Sequence, residues 1–144
     1  MILLTLLFFL PLTLSGPICG ETELTELSGI LNSPNYPDSY DRNTFCIWHI
    51  SPNVTDDYYI TITITDLDIP SKGKTGVCST DYVKISENSG TTELGKYCNN
   101  NKPTSAINSS DKYVSVVFEA NYDLDTGTGF SLAWEAKKKA NTEA

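Results

Sequence analysis

A chain of 144 residues has room for one ordinary domain with a real core, and its net charge of -8 sets it against polyanions. Nucleic acid and anionic lipid are disfavoured as main partners, whereas a basic partner or a cation suits this surface. The one basic run, Lys137-Lys138-Lys139, reads as a solvated terminus just after the last strand.

In chain order, Met1 to Leu14 is almost wholly apolar, and small residues stand at Thr13, Ser15 and Gly16. The run is too short for a membrane span, which takes roughly 20 apolar residues. It reads as a signal peptide over residues 1–15, cut after Ser15 or Gly16, although no Lys or Arg opens it. No later segment could hold the chain in a membrane. The expectation is secretion to the extracellular space as a mature chain of roughly 128 residues.

Four cysteines follow, Cys19, Cys46, Cys78 and Cys98. An even count behind a leader reads as disulfides, and the lack of a CxxC leaves zinc and redox readings without support. Composition leaves all three possible pairings open. Pairing in sequence order would close loops of about 20 to 30 residues, each stabilising by roughly 3 kcal/mol in the chain-entropy model. Asn53-Val54-Thr55 and Asn108-Ser109-Ser110 are N-glycosylation sequons, so Asn53 and Asn108 are expected acceptors in turn-like segments. Asn32-Ser33-Pro34 is spoiled by its proline.

The periodicity after the leader is two. In residues 58–65, Ile60, Ile62 and Ile64 share one face and Thr61, Thr63 and Thr65 the other, as a half-buried strand requires. Further strands are expected at 45–50, with Cys46, Trp48 and Ile50 on one side, and at 82–85, 113–118 and 130–134. Turn clusters at 32–37, 70–76, 88–90 and 123–129 separate them. Short strands between such signals indicate an all-β sandwich or jelly roll in one domain, without linker or repeat.

Several segments then fall in a familiar order. Residues 28–40 read SGILNSPNYPDSY, followed by Cys46-Ile47-Trp48-His49-Ile50 and Ile64-Thr65-Asp66-Leu67-Asp68-Ile69. Next come Cys78-Ser79-Thr80-Asp81-Tyr82-Val83-Lys84-Ile85, Gly95-Lys96-Tyr97-Cys98 and Gly127-Thr128-Gly129-Phe130. Together with the placement of the cysteines, this order resembles the CUB domain family over residues 19–135, leaving 136–144 as a short polar tail. The resemblance implies a CUB-type jelly-roll β-sandwich with Cys19–Cys46 and Cys78–Cys98 bridges. It also implies an extracellular recognition module without enzymatic activity.

Many members of that family hold calcium at one end of the sandwich. The site draws on a Tyr after SPNYP, a Glu after L-D-(I/L), an Asp after the third cysteine and an Asp before the closing G-F. Tyr40 and Asp81 match here, but the Glu position reads Pro70 and the late Asp position reads Asn121. Two formal charges are lost from a site whose ion prefers several oxygen ligands, carboxylates above all. The expectation is a degenerate site (Tyr40, Asp81, Asn121) and no cofactor. Asp66, Asp68, Asp123 and Asp125 are neighbouring carboxylates that keep calcium as the alternative.

Catalysis finds little support. His49 is the only histidine, it alternates away from Trp48, and no local nucleophile motif accompanies it. The acid pairs Asp66/Asp68 and Asp123/Asp125 read as solvated loop charges. The functional reading is a secreted, glycosylated, non-enzymatic module that recognises an extracellular protein or glycan. Its alternatives are a venom or reproductive-fluid component with toxic or modulatory action, and an accessory subunit of a secreted protease. Tyr36, Tyr40, Tyr58 and Tyr122 are candidate contact residues, with loop-bracing as the competing role for the first two.

Overall fold

The isoleucine–threonine alternation builds the longest strand of the molecule. A computed structural model describes residues 19–74 and 76–141, so the leader at 1–15 and its cleavage point lie outside the described residues. Within them the secondary structure is all β. The strands are β1 (Gly20–Leu24), β2 (Ser28–Asn32), β3 (Thr44–Ile50), β4 (Tyr58–Asp68), β5 (Tyr82–Glu87), β6 (Thr92–Tyr97), β7 (Ile107–Asn108), β8 (Val114–Ala120) and β9 (Gly129–Lys138). Sheet A has the order β1-β3-β8-β5-β6 and sheet B the order β2-β9-β4-β7. Except at the β5–β6 hairpin, the chain crosses from one sheet to the other at every connection, which is jelly-roll behaviour.

The core follows from period two. Ile60, Ile62 and Ile64 of β4 point inward with Leu132 and Trp134 of β9, against Trp48, Val83, Val116 and Phe118 of sheet A. Each such side chain contributes about 1.5–3 kcal/mol by leaving water. Phe130 packs edge-on to Trp48, with ring centres 5.9 Å apart, and carries the closing G-F segment into the middle of the core. Gly29 makes the crossing of β2 over β9 possible: a Cβ there would lie 2.1 Å from a ring carbon of Trp134. Cys19 is bonded to Cys46 and Cys78 to Cys98.

Two sequence readings change at this level. Asn108 lies on strand β7, in register with Thr61, and not in a turn. Strand β9 runs past Trp134 to Lys138, so Lys137 and Lys138, exposed as expected, pair with Tyr59 and Tyr58 inside the last strand and do not follow it. The ladder continues because β4 still offers it a partner there.

Jelly-roll connectivity sorts the loops between two ends. The longer ones, 33–43, 69–81, 98–106 and 121–128, gather at one end, and 25–27, 51–57, 88–91 and 109–113 at the other. Two segments far apart in sequence lock the first end. Ser33 Oγ accepts the Phe130 N–H at 2.9 Å, and the Tyr40 N–H donates to the Gly127 carbonyl at 3.0 Å. Gly129, at φ 88°, lies so close to Ser33 that a Cβ would overlap its hydroxyl. The Ser of SPNY and the Gly of the closing motif therefore fit each other.

Candidate functional site

The polar centre of the long-loop end is Asp81, just ahead of β5 and only 1% exposed. Its Oδ2 accepts the Tyr40 hydroxyl at 2.7 Å and its Oδ1 accepts the Asn121 N–H at 2.9 Å. Burial holds the Asp81 carboxyl above the ordinary carboxylate value, and those two donors offset the effect only in part. Tyr40 is buried as well, with its ring edge-on to Phe118 at 4.9 Å. Burial, then Asp81, pushes its hydroxyl far above the usual tyrosine range. The three residues named for a calcium site thus do meet, as a hydrogen-bonded triad beneath the surface.

The carboxylates around the triad are turned to other tasks. Asn121 faces Asp123, donating from Nδ2 to Oδ2 at 3.0 Å and accepting the Asp123 N–H at 3.1 Å. Lys72 stands over the same loop, its Nζ 3.1 Å from Asp125 and 3.4 Å from Asp123. Hydrogen bonding to Asp125 raises the Lys72 ammonium, while hydrogen bonding from Asn121 lowers the Asp123 carboxyl. From β4 it is Asp68, and not Pro70, that bears on the triad: its charge adds to the rise at Tyr40, and its Oδ2 accepts the Thr128 N–H at 3.1 Å. Asp66 accepts the Tyr36 hydroxyl at 2.7 Å.

These side chains do not fit calcium. The ion wants six to eight oxygens around one point, with carboxylates prominent. Among the described residues no three His, Cys, Asp or Glu side chains converge in that way. Asp81 is the single carboxylate within the triad, Asn121 directs its amide at Asp123, and among the described residues Lys72 is the cation that faces the loop's acids.

The tyrosines divide by environment. Tyr40 is a core brace and no contact residue, because Asp81 and Phe118 hold it inside. Tyr36 is half-buried and braces the 33–43 loop through Asp66, while Tyr58 opens β4 instead of lying in a loop. Tyr122 stands out at 76% exposure, with Leu124 beside it at 81%. Asp123 and Asp125 alternate with them and turn back toward Asn121 and Lys72, so the apolar members of the loop face solvent. Leu124 was absent from the sequence reading; the alternation Tyr-Asp-Leu-Asp was its only signal.

His49 has partners that sequence spacing hid. Its Nδ1 is 3.0 Å from Ser115 Oγ and its Nε2 2.5 Å from Glu21 Oε1, beside a cavity of about 350 Å³ lined in part by Glu23, Glu87 and Tyr113. The line Ser–His–Glu has the composition of a nucleophilic triad, so its surroundings decide. Ser115 lies within β8, which is paired with β3 on one side and β5 on the other. Backbone N–H groups there are committed to the ladders, and acyl transfer needs free donors at the developing oxyanion. The row ties the edge strand β1 to the middle of sheet A.

A two-sheet sandwich with two disulfides and a largely buried polar triad thus holds an outward-facing loop in place. The chain belongs to the CUB domain family, whose model matches residues 19–134. CUB domains are non-catalytic modules that mediate protein interactions. The chain is 32% identical over 121 residues to cubilin of Canis lupus familiaris, covering 83% of this chain and 3% of the canine protein. The fold is that of the MASP-1 CUB2 domain bound to Ca2+, with a TM-score of 0.68, 22% identity, and 79% of this chain and 96% of that one covered. The full extracellular region of zebrafish Gpr126/Adgrg6 matches at a TM-score of 0.66 and 25% identity, over 81% of this chain and 14% of that one.

Proposed function

We propose that this chain is a secreted CUB module that binds an extracellular protein without calcium, using the 121–128 loop as its principal contact. The observation that carries this reading is the pair Tyr122 and Leu124, 76% and 81% exposed on a loop anchored at Asn121 to the buried Asp81. Loops held by a rigid scaffold are where binding residues concentrate, and aromatic side chains are enriched at interfaces. The carboxylates behind the pair are engaged by Lys72 and Asn121, so the apolar tips are free to meet a partner.

Secretion is supported by two disulfides, which persist in oxidising compartments, and by the extracellular region among the similar structures. The Ser115–His49–Glu21 row, lacking an oxyanion hole, favours binding over catalysis.

The test compares the wild-type chain with Tyr122→Ala/Leu124→Ala as baits against the native fluid, each in calcium and in chelator. A partner captured by wild type in both buffers and lost with the double variant supports the reading. Retention by the variant moves the contact elsewhere, and capture that fails in chelator removes calcium independence.

A further inference from the structure

The outer face of sheet B carries two rows of side chains in register. Asn108, Thr61, Glu135 and Ser28 form the first across β7, β4, β9 and β2, and Thr63, Ala133 and Ile30 form the second. Alternation turns all of them away from the core, since Ile60, Ile62, Leu132 and Trp134 point in. Ala133 is the low point between Thr63 and Ile30, and the result is a trough of about 500 Å³. It is lined in part by Ser28, Ile30, Thr61, Thr63, Glu135 and Lys137. Ile30 stands 72% exposed at its far side.

Asn108 sits on the near rim, exposed, at the edge strand. Thr61 Oγ1 donates to its Oδ1 at 3.0 Å, holding the amide at the level of the sheet. Three strand spacings of about 4.8 Å place Ser28 about 14 Å away, a distance that a short sugar chain spans. The trough suits a sugar chemically. A pyranose ring has an apolar face to set on Ala133 and Ile30, and hydroxyls to exchange hydrogen bonds with Thr61, Thr63, Ser28 and Glu135.

We infer that an N-glycan on Asn108 folds back over this trough and withdraws the outer face of sheet B from protein partners. This rests on the secretory reading above. The acceptor bond forms between Asn108 Nδ2 and the anomeric carbon of a lipid-linked oligosaccharide. That carbon's bond to the pyrophosphate carrier breaks, and Nδ2 gives up one proton. Asn53, by contrast, lies in the 51–57 loop outside both sheets, so a glycan there has no such face beneath it.

The chain is expressed in a secreting eukaryotic culture, and both sequons are mapped by enzymatic deglycosylation in heavy-oxygen water. Hydroxyl-radical footprinting then reads Ile30, with Phe45 of sheet A as the reference. The expected result is an occupied Asn108 and Ile30 labelling several-fold lower than in enzymatically deglycosylated protein, with Phe45 unchanged. Asn108→Gln should raise Ile30 labelling to the same level, and Asn53→Gln should not. Equal Ile30 labelling with and without the Asn108 glycan overturns the inference. So does a bare Asn108 beside an occupied Asn53, which leaves the secretory reading standing. Both sites bare removes the two together.

Discussion

The two ends of the sandwich are closed by different chemistry. At the long-loop end the Cys78–Cys98 disulfide precedes Asp81, whose buried carboxylate ties the 33–43 and 121–128 loops through Tyr40 and Asn121. At the short-loop end the described residues hold no disulfide. There Glu87 accepts the Ser110 N–H and hydroxyl at 2.7 and 2.8 Å, and the Ser109 hydroxyl accepts the Ile60 N–H of β4 at 2.7 Å. Lys112 bridges Asp56 and the Val54 carbonyl, at 2.9 Å each. Short turns order themselves with nearby side chains, whereas long loops lose more entropy on closing and need a cross-link or a buried anchor. The end that carries the proposed contact loop is also the end that holds the Cys78–Cys98 bond.

That contrast can be broken most forcefully at its disulfide. Cys78→Ser/Cys98→Ser opens a bridge of sequence separation 20 and should cost about 3 kcal/mol in chemical denaturation. A loss under 1 kcal/mol would place the anchoring in the hydrogen bonds alone. Next comes Asp81→Ala, which removes the acceptor of the Tyr40 hydroxyl and of the Asn121 N–H from a largely buried site, for a loss of about 2–4 kcal/mol. Gly29→Ala tests the frame that both ends share. Its methyl group would collide with the Trp134 ring, and the repacking should cost about 1–3 kcal/mol.

The two anchors, Asp81 at one end and Asp56 at the other, should also respond to pH with opposite sign. Asp81 is raised above its ordinary 3.8 by burial. Its contribution is therefore full below that value and is lost as pH rises through the folded pKa. Asp56 is lowered by its hydrogen bond to Lys112, so its contribution is present above the ordinary value and is lost as pH falls through the folded pKa. Asp81→Asn keeps an acceptor for Asn121 and should gain on wild type as pH climbs from the acid range toward neutrality. Lys112→Met should lose on wild type over the same rise, by less and more so at low salt, because its partner is exposed. Parallel pH profiles for the two variants would contradict the contrast.

The smallest expected effect is that of calcium. A ligand present at 100 times its dissociation constant raises stability by about 2.7 kcal/mol. With Asn121 turned to Asp123, and Lys72 facing Asp123 and Asp125, millimolar calcium should leave the thermal midpoint where chelator leaves it. A rise abolished by Asp81→Ala would restore an ion to this end.

Some of this was open to a reader of the sequence, for physical reasons. The Ile–Thr alternation of β4 and the Cys46–Trp48–Ile50 face of β3 announce themselves because one side of each strand is buried. Strand β1, Gly-Glu-Thr-Glu-Leu, shows no alternation, because it is an exposed parallel edge held by ladder bonds to β3 and the Cys19 bridge. Strand β6 is mostly polar and pairs with β5 alone, so it too carries little pattern. At the site, Tyr40, Asp81 and Asn121 were legible as a set through motif order. Their mutual hydrogen bonds, the reach of Lys72 to the late loop and the contact of His49 with Ser115 were not. Those depend on sheet register and loop path, which link residues 40 to 66 positions apart.

The Cys19–Cys46 bond has a mechanical consequence. Tension arriving from residues before Cys19 passes straight into β3, bypassing the β1 ladder, which on its own would peel bond by bond. At the other terminus the load leaves through β9, gripped between β2 and β4 in the opposite sheet. Pulling the ends apart must therefore slide one sheet over the other, against the interlocked rings of Trp48, Phe118 and Phe130.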